Sequence, residues 1–164
     1  MNKQDFPLSW RIPRQGNFTD RREVKMNIIV CLDDNGGMLF NQRRQSRDAI
    51  LLEDMLNMVG EMGRKLWIAP FSEKLLKPYM ENRPFITVDE TYLEKAESSD
   101  YCFVENKALQ QCEENIDTVI LYRWNRVYPA DTYFDIDLRG WQLVSTGEFS
   151  GASHDLITKE VYIR

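Results

Sequence analysis

Apolar and polar positions alternate along the chain in a repeating order. Residues 28–32, Ile-Ile-Val-Cys-Leu, form an unbroken apolar run that stops at Asp33-Asp34-Asn35-Gly36-Gly37. A strand buried on both faces gives such a run, and an abrupt turn at its carboxyl end gives the polar, glycine-rich cluster. From Asp48, a good helix cap, Ile50, Leu51, Met55, Met58, Val59 and Met62 recur at helical spacing. The pattern predicts a helix over 49–62 that ends at Gly63. Further strands are predicted at 65–69, 85–88, 101–104 and 118–124. Between them, Ser72 is expected to cap a short helix over 72–77 that Pro78 stops. Asp89 is expected to cap another through 97, and a short helical piece should run to Cys112. Strand alternating with helix implies parallel pairing through right-handed crossovers. From Trp141 the order changes: 141–144 and 157–163 are alternating segments flanking a polar loop at 146–155, the pattern of a terminal antiparallel hairpin.

Residues 1–25 follow neither rhythm. Phe6, Leu8, Trp10 and Ile12 alternate as a short edge strand would, but Pro7, Pro13 and Gly16 interrupt any longer period. We therefore expect a flexible or edge-docked extension over 1–25 and one folded domain over 26–164, starting at Met26.

Composition narrows the classes. The 164 residues suit one sizeable core, and 43% hydrophobic content is that of a globular chain. A net charge of −5 opposes general nucleic-acid binding, which needs a basic face. Cys31, Cys102 and Cys112 are odd in number and lack metal-ligand spacing, so they read as reduced thiols. With neither a membrane-length apolar segment nor a signal peptide in view, a cytoplasmic protein with no membrane partner is expected.

Three stretches resemble the dihydrofolate reductase family. IVCLDDNGGM at 29–38 resembles its first strand and following loop. TVILYRWNRVYPADTYFDIDLRGWQLVSTGEF at 118–149 resembles its late strand, its acidic segment and the next strand; ITKEVYIR at 157–164 resembles its closing strand. The resemblance implies an α/β fold of that type: a mostly parallel central sheet flanked by helices, with a C-terminal antiparallel hairpin.

The family's functional motifs are largely missing. Where the family has a Trp after the first loop, the chain reads Arg44-Gln45-Ser46. The family's pterin-binding acid would fall on Glu53 or Asp54. Its phosphate-binding turn is replaced by Ala69-Pro70-Phe71-Ser72, in which Ser72 fits as a cap. Two glycines that admit the cofactor's pyrophosphate in the family are replaced by Glu105-Asn106. At an effective dielectric of ~20, like charges about 4 Å apart repel by roughly 4 kcal/mol. That is about a thousandfold in affinity, so NADPH is disfavoured and no cofactor is assigned. One strand-helix step is also absent between Leu76 and Pro84.

In open α/β sheets, ligands bind beyond the carboxyl ends of the strands. The candidate ligand-binding residues there are Asp33, Asn35, Arg44, Arg47, Ser72, Glu105 and Asn106. Arg43, Arg44 and Arg47 form the most suggestive group, because guanidinium forks suit carboxylate or phosphate; the plainer expectation pairs them with Asp33, Asp34 and Asp48. Adjacent Asp33 and Asp34 suit a turn better than a shared metal. Trp124 is expected to pack within its own domain rather than stack on a ligand. His154, the single histidine, reads as a solvated loop residue, and no nucleophile-base-orienter set is visible. The first reading is a binding protein for a small polar or anionic ligand or nucleotide, without dihydrofolate reductase activity. The alternative is an atypical NAD(P)H- or flavin-dependent reductase. A third, an RNA-processing hydrolase of the ribonuclease Z kind, lacks that class's His-x-His-x-Asp-His stretch, and one histidine cannot build a dinuclear zinc site.

Overall fold

A computed structural model describes residues 23–164. The alternating stretch at 6–12, and nearly all of the expected extension at 1–25, lie outside the described residues.

Strand β1 (Met26–Leu32) lies inside the sheet because every residue of its apolar run has somewhere to be buried. Ile28, Val30 and Leu32 face one core and Ile29 the other, as the two-residue period of a strand requires. The chain then makes a small hairpin, β2 (Gly37–Phe40) and β3 (Arg43–Arg44), and enters helix α1 (Ala49–Met62). Next come β4 (Leu66–Ile68), α2 (Pro70–Leu76), β5 (Ile86–Val88), α3 (Tyr92–Lys95) and β6 (Tyr101–Phe103). A 3-10 turn leads into β7 (Ile116–Arg123); β8 (Thr132–Tyr133), β9 (Gln142–Phe149) and β10 (Ile157–Ile163) complete the chain. The seven-stranded sheet has the order β5-β4-β6-β1-β7-β10-β9. β1 pairs in parallel with β6 and β7, whereas β10 is antiparallel to both β7 and β9. This is the expected α/β arrangement with its terminal antiparallel hairpin. No strand or α-helix stands between α2 and β5, in keeping with the shortened spacing there.

Helix α1 runs over the predicted residues. Asp48 caps it by accepting from the Ile50 and Leu51 N–H groups at 3.0 and 3.3 Å, and Gly63, at φ 68°, ends it in the left-handed conformation. Its buried stripe is Leu51, Leu52, Met55, Leu56 and Val59. Ile50 and Met62, expected in that stripe, are 44% and 60% exposed, because they lie on its outer edges.

Several local expectations need correction. α2 starts at Pro70, whose missing N–H suits the first turn, so Ala69 holds the cap position and Ser72 is inside the helix. Pro78 does not stop the chain's winding, since a 3-10 turn over Lys77–Tyr79 carries it past. Asp89 caps no long helix: it accepts from the Thr91 N–H and pairs with Lys95, leaving α3 a single turn. β9 continues to Phe149, so the hairpin loop is 150–156. The three-stranded sheet β3-β2-β8 was not legible as such, since its strands are two to four residues long. No helix among the described residues is long and apolar enough to cross a membrane.

Candidate functional site

The carboxyl ends of β1, β6 and β7 open onto a cleft bounded by the segment 44–48. Cys31, Arg44, Ser46, Arg47, Asp48, Leu75, Glu105 and Trp124 contribute to its lining. Its free volume is about 20 Å³, roughly one water. A wider depression of about 450 Å³ adjoins it, bounded by Phe40, Arg43, Arg44 and Tyr128.

Three of the predicted residues meet in one cluster. Arg44 donates from Nε to Glu105 Oε2 at 2.8 Å and from Nη2 to Glu105 Oε1 at 2.9 Å. Ser72 Oγ donates to the same Oε1 at 2.7 Å, and the guanidinium lies 4.8 Å from the centre of the Phe71 ring. Arg44 therefore pairs with Glu105 and not with the nearer aspartates in sequence. The phosphate role expected of Ser72 as a helix cap does not arise, because its hydroxyl lies within the helix and is taken by Glu105. Arg44 also neutralises Glu105, so the expected bare negative charge at this strand end is instead a filled, neutral pair.

Arg47 lines the cleft and has no ion-pair partner among the described residues; neither does the exposed Arg43. Asp33 is wholly buried in the turn after β1. Its Oδ1 accepts from the Asn35 and Gly37 N–H groups at 2.9 and 2.7 Å, and Oδ2 from the Tyr128 N–H at 3.0 Å. Burial alone would raise its pKa, but these N–H groups and the Gln45 side chain hold it below the usual carboxylate value. The carboxylate thus fixes a turn and is not part of the cleft lining. Asn35 and Asn106 are exposed and also lie outside the lining. Gly37 is required at its place because a Cβ there would sit 2.5 Å from Ala130 Cβ and 2.7 Å from Gln45 Nε2.

Neither acid assigned to the pterin position offers a free carboxylate. Glu53 pairs with Arg83 at 2.7 Å. Asp54 accepts from Lys159 Nζ at 2.9 Å and from the buried Tyr122 hydroxyl at 2.5 Å. The carboxylates that line the cleft are Glu105 and Asp48, which also caps α1.

Sequence reasoning missed His154. It is 4% exposed, not solvated, and stacks on Trp124 with ring centres 4.5 Å apart. Its Nδ1 lies 2.9 Å from Asp48 Oδ2; its Nε2 lies 2.9 Å from Ser46 Oγ and 3.1 Å from the Tyr128 hydroxyl. Asp48 further accepts from the Ala152 and Ser153 N–H groups at 2.9 and 2.8 Å. Burial opposes its ionisation, but the Ala152 and Ser153 N–H groups, the imidazole and the Leu51 N–H outweigh that and hold the carboxyl well below the usual range. Gly151 makes this approach accessible, since a Cβ there would collide with the Asp48 carboxylate. No local signal marks His154, because Asp48 and Ser46 stand 106 and 108 residues away.

No protein-family model matches the chain, and no curated protein matches it. Among solved structures it is similar to dihydrofolate reductase from Enterococcus faecalis complexed with NADP(H) and RAB-propyl. The TM-score is 0.60 at 13% identity, over 85% of this chain and 96% of that one. The sheet order, the terminal hairpin and this likeness together give the chain a divergent dihydrofolate reductase-like fold.

Proposed function

We propose that the cleft binds a small anionic ligand and that the protein does not perform dihydrofolate reduction. The observation that carries the reading is the Arg44–Glu105–Ser72 cluster beyond β6. The family resemblance puts two glycines there so that backbone can meet a pyrophosphate. In this chain a carboxylate, 11% exposed and held by three hydrogen bonds, occupies the ground. A dinucleotide would have to displace it and leave Glu105 without its cation, at a cost below the ~3–5 kcal/mol that losing one partner of a fully buried pair carries. Arg47, by contrast, has no ion-pair partner among the described residues and is exposed at the rim of the same cleft, where its guanidinium suits one carboxylate or phosphate group.

Two titrations test this reading. Calorimetry with inorganic phosphate should give saturable binding that weakens about tenfold in Arg47→Ala, the loss of one charge-assisted contact. NADPH fluorescence should show no saturable change up to about millimolar concentration, the weak end of the affinity scale. Micromolar NADPH binding would restore the reductase reading, and phosphate binding indifferent to Arg47 would remove that residue from the site.

A further inference from the structure

Ser46, His154 and Asp48 stand in hydrogen-bonded series at the cleft, with Ser46 Oγ 2.9 Å from Nε2 and Nδ1 2.9 Å from Asp48 Oδ2. Nδ1 also lies 3.2 Å from Ser153 Oγ, but the closer carboxylate can only accept, so the proton of the neutral ring sits on Nδ1 and the lone pair of Nε2 faces the serine. This is the tautomer a general base needs. Both Ser46 and Asp48 line the cleft, so an incoming group can reach the hydroxyl. Cys31, the thiol in the same lining, is a poor competitor, because burial pushes its pKa up and keeps it protonated.

We propose that Ser46 is an acyl-accepting nucleophile, His154 its general base and Asp48 the residue that positions the imidazole, acting on short-chain carboxylic esters. Ser46 Oγ bonds to the carbonyl carbon as its proton passes to His154 Nε2, and the carbonyl π pair moves to oxygen. Collapse breaks the ester C–O bond, and the leaving alkoxide takes the proton from Nε2. Water then attacks the acyl-serine through the same base, giving the carboxylic acid and free Ser46. No electron donor or acceptor is needed. Arg47, in the same lining, supplies positive charge for the developing oxyanion. A free volume of about 20 Å³, room for about one water, leaves space inside the cleft for little more than the carbonyl oxygen, so the acyl group lies toward the adjoining depression of about 450 Å³. Tyr128 also reaches Nε2, at 3.1 Å, and competes with Ser46 for its single lone pair.

The proposal uses the cleft of the anion-binding reading but not its anion, so a neutral alkyl fluorophosphonate tests it separately. Attack by Ser46 forms an O–P bond and expels fluoride, and the protein gains one adduct readable by intact mass and peptide mapping. The expected result is a single adduct on Ser46, absent in Ser46→Ala and slowed at least a hundredfold in His154→Gln, within the range general-base catalysis contributes. Tyr128→Phe removes the competing hydroxyl and should label at least as fast as the natural chain. Asp48→Asn can donate to Nδ1 and so reverses the tautomer. Its labelling should be lost at neutral pH and partly recover in alkali, where the serine needs no base, a pH profile that a purely structural role would not produce. Circular dichroism of each variant separates loss of labelling from loss of fold. An unlabelled natural protein with an intact spectrum, or equal labelling of Ser46→Ala, overturns the proposal. Labelling without phosphate binding overturns only the anion reading, and phosphate binding without labelling overturns only the relay.

Discussion

Replacing Glu105 with Ala should destabilise the protein by about 2–3 kcal/mol, and most of that should vanish if Arg44 is replaced as well. Exposed ion pairs contribute about 0–1 kcal/mol, whereas removing one partner of a buried pair costs about 3–5 kcal/mol. At 24% and 11% side-chain exposure, Arg44 and Glu105 lie between these limits, nearer the buried one. The substitution strips two charge-assisted bonds from Arg44 and the acceptor from Ser72 Oγ, which is what places the figure at about 2–3 kcal/mol. For a domain of this size that is a fall of about 4–12 °C in melting temperature. The double-mutant cycle of Arg44→Ala and Glu105→Ala, followed by urea unfolding, isolates the pair itself. We expect a coupling of about 1–2 kcal/mol that changes little between about 0.1 and 1 M salt, since partly buried pairs are weakly screened. A coupling below about 0.5 kcal/mol would refute the reasoning: Arg44 would then be available to a ligand, and the filled strand end would no longer argue against a dinucleotide.

Two further outcomes follow from the buried carboxylates. Asp33→Asn should lower stability by about 1–3 kcal/mol in urea unfolding, because the new amide N–H₂ must face a backbone donor where the carboxylate accepted; unchanged stability with weakened phosphate binding would return Asp33 to the site. Asp48, with a folded-state pKa held below its unfolded value near ~3.9, contributes stability that is complete above that pH and is lost as pH falls below it. The natural chain should therefore exceed Asp48→Asn in melting temperature most at neutral pH, and the gap should narrow below about pH 4; a constant gap down to pH 2.5 would show that the low pKa is not linked to folding.

The sequence by itself determined the elements whose signal is local. The apolar run of β1 needs burial on both faces, the stripe of α1 needs a core beneath it, and Asp48 and Gly63 close its ends with their own chemistry. The switch from strand-helix alternation to two adjacent alternating segments likewise fixed the antiparallel hairpin. Tertiary structure alone decided which polar groups meet. Nothing near Arg44 in sequence points to Glu105, 61 residues away, and the nearby Asp33 and Asp48 were already committed to backbone N–H groups. His154 was unreadable for the same reason: an imidazole between Gly-Ala-Ser and Asp-Leu looks solvated until the hairpin lays it on Trp124, with Ser46 and Asp48 at its two nitrogens. Hydrophobic burial has a period that one strand or helix can display alone, whereas a hydrogen bond between distant side chains exists only once the chain is closed.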